Sequence, residues 1–391
     1  MSLNLDKRSW KRVSLGDVIR HVTDRVDAES SGLERFLAGE HIPSNSLEIK
    51  QWGVIGRDPI GPMFYKRFRP GHVLYVSRRS YLRKTAVPEF EGITGEKTFV
   101  LETRDSSVLL QKFMPFLLSA EAFHSYAMAN SRGSVNPYVN WTDLANYEFD
   151  LPPLDEQKRL ADLLWSIERH WRAVKATAAS AREVLSRLRS EFFDDESPTV
   201  QADEAFSITI GRQRSPKHET GDHLVPYLRS ANVTLGGVDI EDVKSMNFDP
   251  DEQAKFGLEV GDVLVSEGSA SPGAVGMPAV WSGEVGGVVC FQNTLLRYRP
   301  VPGVTLSGFV EQWCRWAFES GQFLRASSGT NIYHIGVRGA SGMRVRVPGL
   351  EEQAEFLSRA AAATESVAAV AGEADAVAAA RSATLAQIFG G

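Results

Sequence analysis

A chain of 391 residues, 43% hydrophobic and 24% charged, holds enough material for two or three ordinary domains with sizeable cores. Its formal net charge of −6 excludes a blanket electrostatic binder of nucleic acid, and its two cysteines exclude a disulfide framework or a four-thiolate zinc site. No run approaches the ~18 consecutive apolar residues of a membrane helix, and no secretory pattern opens the chain, so a cytoplasmic protein without membrane contact is expected.

From Pro59 to Pro88 there is no acidic residue, yet Lys66, Arg67, Arg69, Arg78, Arg79, Arg83 and Lys84 fall there. Such a stretch suits an anion-binding surface. Within it, Val73 to Val76 reads as a short strand after the Pro70-Gly71 turn, and Thr98 to Leu101 as a further strand. Apolar spacing predicts a helix over Phe113 to Met128. A polar loop follows, Asn130-Ser131-Arg132-Gly133-Ser134-Val135-Asn136-Pro137-Tyr138-Val139-Asn140. Then Leu151-Pro152-Pro153-Leu154-Asp155-Glu156-Gln157 opens a long helix. The prolines end the preceding strand, and the acids sit in the first turn, where the helix dipole favours them. Leu160, Leu164, Ile167, Trp171, Val174, Ala178, Ala181, Leu185, Leu188 and Phe192 alternate steps of four and three, an a/d heptad seam.

The second half repeats these landmarks. Val260-Gly261-Asp262-Val263-Leu264-Val265-Ser266 corresponds to the Gly71 turn and strand, with Gly261 190 positions after Gly71. Thr294 to Tyr298 reads as a strand and Leu306 to Ala326 as a helix. Ser327-Ser328-Gly329-Thr330-Asn331-Ile332-Tyr333-His334 stands 196 positions after the first polar loop. Val347-Pro348-Gly349-Leu350-Glu351-Glu352-Gln353 repeats the helix entry at the same spacing. Ser320 to Leu350 is again free of acids, with Arg325, His334, Arg338, Arg344 and Arg346. A second seam runs through Phe356, Ala360, Ala363, Val367, Val370, Ala374 and Val377, is interrupted at Arg381, and resumes at Leu385 and Ile388. The interruption suggests that the distal end of this helix faces a partner subunit.

The expected fold is α+β, with two pseudo-repeated mixed α/β domains joined by two long helices that form an antiparallel coiled coil. Expected boundaries are 1–152 and 197–348 for the domains, and 153–196 and 349–391 for the helices. At ~1.5 Å rise per residue, about 40 helical residues span on the order of 60 Å.

Catalysis is not visible. Asn136-Pro137-Tyr138 resembles the adenine-methyltransferase motif but lacks its second proline, and no glycine-rich cofactor loop precedes it. Gly268 and Gly273 have P-loop spacing, but Ala274 and Val275 stand where Lys and Ser/Thr are needed. Glu48-Ile49-Lys50 is an isolated nuclease-like triplet, and the eight histidines show no ligand spacing. No catalytic residue, cofactor or metal ligand is assigned. What the loops offer is DNA contact. Hydroxyls, amides and backbone N–H groups suit phosphate oxygens, Asn addresses adenine and Arg addresses guanine. The candidates in the first half are Lys66, Arg67, Arg78, Arg79, Tyr81, Arg83, Lys84, Ser131, Arg132, Ser134, Asn136 and Tyr138. Those in the second half are Arg212, Arg214, Lys217, Ser327, Ser328, Thr330, Asn331 and Tyr333.

On the Leu-Pro-Pro-Leu-x-Glu-Gln entry, its degenerate second copy, the Gly-Ser loop upstream of each and the two divergent domains, the chain resembles the specificity subunit of a type I restriction-modification enzyme over essentially its whole length. The resemblance implies two target-recognition domains, each reading one half of a bipartite site on double-stranded DNA. It implies an antiparallel coiled coil that sets the gap and docks two methyltransferase subunits, with restriction subunits joining that core. It also implies no catalytic residues in this chain. The rival readings are a free-standing DNA-binding adaptor, an enzyme in its own right, and a scaffold that uses the helices for protein contacts alone.

Overall fold

In this computed structural model, residues 3, 5–194 and 198–390 are described. The expected boundary between Glu196 and Ser197 and the terminal Gly391 lie outside them. Two compact units result, Met1–Lys175 with Ala371–Gly391, and Ala176–Val370.

The first unit is built on a four-stranded antiparallel sheet, ordered Ile19–Val22, Thr98–Thr103, Val73–Val76, Thr85–Ala86. All four residues of Val73–Val76 are buried, which is why that strand reads as an unbroken apolar run. A second sheet orders Gly53–Val54, Arg35–Leu37, Gly92–Gly95 and Phe64–Phe68, and its Arg35–Leu37 and Gly92–Gly95 strands are parallel. Lys11–Ser14 pairs with Glu148–Leu151 and so closes the domain at the entry to the first long helix, Leu154–Phe193. The core joins Tyr75, Phe113, Phe116 and Phe123 to Leu160 and Leu164 of that helix, and to Leu385 and Ile388 of the second long helix, Leu350–Phe389.

The second unit repeats the plan. Phe206–Ile210, Leu295–Pro300, Val263–Ser266 and Pro278–Val280 make the matching antiparallel sheet. Leu224–Leu228 and Cys290–Phe291 supply the parallel pair, and Thr199–Gln201 pairs with Arg344–Arg346 before the second long helix. Its core collects Phe206, Tyr298, Phe309, Trp313 and Phe323, with Leu185 and Phe193 of the first long helix and Phe356 and Ala360 of the second.

Each helix expected before a polar loop is broken into two. Met114–Leu117 is followed by Glu121–Ala129 after an extended Ala120 (ψ 144°). Ser307–Glu319 is followed by Gln322–Ala326, and Gly321 at φ 75° makes that turn. Apolar periodicity continues across both breaks because both pieces bury a face in the same core.

The glutamine of each helix entry acts as a buried clamp. Gln157 Oε1 accepts from Leu110 N (2.8 Å), and its Nε2 donates to the carbonyls of Val108 and Pro152 (2.8 Å each). Gln353 Oε1 accepts from Leu306 N (3.0 Å), and its Nε2 donates to Val304 O and Pro348 O (2.8 Å each). The six partners correspond one for one under the 196-residue repeat. The repeated motif therefore fastens each long helix to the domain before it.

Within each unit the two long helices run antiparallel. In the first, Leu160 and Leu164 meet Leu385 and Ile388, while Glu168 pairs with Arg381 and His170 with Glu373. In the second, Phe192 stacks on Phe356 at 3.9 Å between centroids. Arg381 corrects an expectation. It is 9% exposed and faces the first helix, with Nε 2.9 Å from Oε2 of the fully buried Glu168. Arg172 approaches the same carboxylate at 3.1 Å, and the Arg381 guanidinium lies 5.8 Å from the Trp171 ring centre. A cation in a seam faces outward only when nothing opposite can neutralise it.

Two histidines of the first unit, His21 and His124, are held near pKa 4, chiefly by burial. Nearby Lys66 adds to the shift of His21, and Arg83 to that of His124. From about pH 6.5 down to about 4 the unfolded chain binds protons that the folded unit refuses, so stability falls as pH falls through that window. The urea midpoint of unfolding should drop between pH 7 and pH 5, and the drop should shrink in His124→Leu. An equal drop in that variant would count against this assignment.

Candidate nucleic-acid interface

In both units the polar loop is closed by the same pair of reciprocal backbone bonds. Arg132 N donates to Tyr138 O (2.8 Å) and Tyr138 N to Arg132 O (2.9 Å). Ser328 and His334 exchange both bonds at 2.9 Å. Gly133 (φ 91°) and Gly329 (φ 113°) turn the chain where a side chain would be strained. A Cβ at Gly329 would also stand 2.1 Å from Ile332 O.

The closing residue of each loop bridges to the end of the buried strand. Tyr138 faces Arg78, and His334 faces Gly268. Arg78 and Gly268 are 190 positions apart, while Tyr138 and His334 are 196 apart. The two repeat spacings thus converge on one place in each unit, the junction of strand end and loop.

Around the first junction lies a groove of about 570 Å³, lined in part by Arg78, Arg79, Lys84, Lys97 and Asn136. Arg79 Nε donates to Asn136 Oδ1 (2.8 Å), which ties the strand end to the loop tip. Among the described residues neither Arg78 nor Arg79 has an ion-pair partner, and both are exposed. Lys97 sits 4.5 Å from the Tyr138 ring centre, a cation held on an aromatic face. Ser80 and Ser131 share a hydroxyl hydrogen bond (2.6 Å), so both hydroxyls are partly spent inside the junction. Arg132 pairs with Asp143 at 3.1 Å, Tyr81 and Ser134 are exposed, and each loop tip shows one bare aliphatic, Val135 at 82% and Ile332 at 50%.

Other candidates are placed differently. Lys66 is 5% exposed and its Nζ donates to Glu96 O (2.6 Å) and Thr98 O (3.0 Å); burial lowers its pKa to about 8. It is no surface cation, because Lys66 and Phe68, two apart, alternate onto one face of their strand, and Phe68 lies in the core. That alternation was present in the sequence. Arg67 pairs with Glu91 (2.8 Å) and Arg83 with Glu121 (2.6 Å), while Lys84 Nζ donates to Gly39 O. In the second unit Arg212 turns inward onto Glu252 (2.8 Å) and the Phe248 ring, and Arg214 pairs with Glu219 (2.8 Å). Lys217, Ser328, Thr330 and Asn331 are exposed, with Ser327 and Tyr333 half-buried. His334, outside the sequence candidates, lies at the second junction and pairs with Glu267 (2.9 Å).

Comparison with known proteins bears on this geometry. Residues 64–177, which include the whole first junction and the helix entry, match the type I restriction modification DNA specificity domain. This segment is similar to a type I specificity domain. The EcoDI specificity subunit of Escherichia coli is 23% identical over 180 residues, 46% of this chain and 36% of that protein. The HindI specificity subunit of Haemophilus influenzae is 21% identical over 207 residues, 51% of this chain and 44% of its own length. The matches thus span less than half of either relative. In fold, the type I S subunit from M. genitalium superposes with a TM-score of 0.59 at 14% identity, covering 100% of this chain and 98% of that one. A chain from a structural study of complex assembly and conformational transition in a type I R-M system gives 0.61 at 20% identity, with 98% of both chains covered. The chain resembles type I specificity subunits in sequence and shares the fold of these two structures over nearly its whole length. Among the described residues no helix is long and apolar enough to cross a membrane, and no cluster of side chains could hold a metal ion.

Proposed function

We propose that this chain is the non-catalytic DNA-recognition subunit of a type I restriction-modification system. Residues 1–152 and 197–348 are its target-recognition domains, each reading one half of a bipartite, asymmetric DNA site. Residues 153–196 and 349–391 are the spacer helices, which set the number of unread base pairs and dock two methyltransferase subunits. Restriction subunits join through that core. The observation that carries this reading is the loop–strand junction built twice, at matching repeat positions and with different side chains. Shared backbone geometry suits a common way of meeting duplex DNA, and unlike side chains suit two different half-sites.

In the first unit the contacts fall to Arg78, Arg79, Tyr81, Ser134 and Asn136, with Ser131, Arg132 and Tyr138 shaping the loop. In the second they fall to Lys217, Ser328, Thr330 and Asn331, with Ser327 and Tyr333 behind them. Arg67, Arg83, Lys84 and Arg214 would first have to release their present partners. Lys66 and Arg212, turned inward, take no part.

The test is co-expression with the cognate methyltransferase subunit and mapping of N6-methyladenine on host DNA. A single two-part motif with a fixed gap is expected. A complex that forms and methylates no such motif would overturn the reading. In the same complex, Arg79→Ala should weaken DNA binding by about 1–3 kcal/mol. Arg78→Ala should do likewise if it reads a base, and should lower the salt slope by about one if it meets a phosphate. Glu183→Ala, on the exposed face of the first long helix, should leave binding unchanged. Equal losses at all three positions would remove the first junction from the interface.

A further inference from the structure

The second junction seats a histidine that no part of this reading has used. His334 Nδ1 lies 2.9 Å from Glu267 Oε2, with the imidazole side chain 54% exposed and the carboxylate side chain 12%. An ionised carboxylate only accepts, so the Nδ1 of His334 carries the hydrogen and donates. In the neutral ring this leaves the Nε2 lone pair free to accept.

The seat has three further supports. Ile335 N donates to Glu267 O at 2.9 Å, which ties the loop to the strand end beside the ring. The reciprocal Ser328–His334 bonds fix the backbone of the histidine itself. Gly268 faces His334 across the short Gly268–Ser269 and Tyr333–His334 pair, and a Cβ there would lie 2.6 Å from Nδ1. Glycine leaves the room that the ring occupies.

The repeat shows what has been exchanged. Gly268 corresponds to Arg78 of the first unit, and Glu267 to Ser77. In the first unit an arginine at the strand end is exposed beside Tyr138 of the loop. In the second, the strand-end side chain is deleted and an imidazole from the loop fills the junction. One position of the fold thus carries a guanidinium donor in one unit and an oriented imidazole in the other.

We infer that His334 is a base-reading residue of the second unit, its Nε2 accepting from the exocyclic amino group of an adenine or cytosine in the major groove. This rests on the reading of the chain as a DNA-recognition subunit. An acceptor discriminates there because guanine and thymine present the oxygens O6 and O4 at the matching edge. A phosphate contact would carry no such information.

The experiment maps methylation sites for the complex of the unaltered chain with its methyltransferase, and for His334→Ala and Gly268→Ala. At one position of one half-site, both variants should accept bases that the unaltered chain rejects, with a shift of roughly ten-fold. The other half-site should be unchanged. Gly268→Ala keeps both His334 and Glu267 and removes only the seat, so agreement of the two variants assigns the effect to the placed ring. Melting curves come first; His334 is exposed, and its alanine variant decides the matter if the glycine variant fails to fold. If the unaltered chain yields no two-part motif, the recognition-subunit reading itself fails. If it yields one and His334→Ala keeps every preference, or weakens all sites alike, base reading by His334 is overturned.

Discussion

Glu168→Ala should cost the first unit about 3–5 kcal/mol, because it strands a buried guanidinium. Glu168 is fully buried, and Arg381 is 9% exposed with no other ion-pair partner among the described residues. The contact is electrostatic, since neither Glu168 Oε2 nor Arg381 Nε meets hydrogen-bond geometry. The Trp171 face, 5.8 Å from the guanidinium, replaces only a small part of the lost attraction. Replacing both partners with leucine should be far milder, because a buried pair returns little more than its own desolvation. Urea unfolding of Glu168→Leu, Arg381→Leu and the variant that carries both closes a mutant cycle. A coupling near zero would show that the pair is not what holds this part of the seam.

Gln157→Ala should cost about 3 kcal/mol, as three backbone groups lose their partner at once. Leu110 N, Val108 O and Pro152 O all bond to this one side chain, which is itself 1% exposed. Gln157→Glu should be worse, since it sets a carboxylate against two carbonyl oxygens that now receive N–H donors. Gln353→Ala should repeat the loss in the second unit, through Leu306, Val304 and Pro348. Hydrogen exchange would resolve the two, with protection falling first at the entry of the helix concerned. A variant with unaltered protection at its own helix entry would reduce the motif to a turn signal.

Much of the fold was legible because it depends on short-range patterns. The buried strands Val73–Val76 and Val263–Ser266 announce themselves as apolar runs after glycine turns. The long helices follow from their heptad spacing and acidic first turns. The loops repeat because the glycines at 133 and 329 impose one backbone conformation on two different sequences.

Side-chain destinations were less legible. Glu168 stands four residues after Leu164, on the seam side, and its burial depends on Arg381 more than two hundred positions later. The repeat would have predicted the wrong chemistry there, since the corresponding positions in the second unit are Thr364 and Leu185. Arg212 is cationic and near a turn, yet Glu252 and Phe248 take it inward. His334 lies in an acid-free stretch of sequence, and the carboxylate that orients it comes from the end of another strand.

Periodicity, glycine turns and the duplicated helix entry were enough to settle the α+β class, the two related domains and the antiparallel helices, because each reflects the conformational preference of neighbouring residues. Which charges are spent in the interior and which stay on the surface was decided by tertiary structure alone. A charged side chain is neutralised by whatever lies within a few ångströms of it, and those neighbours come from distant parts of the chain.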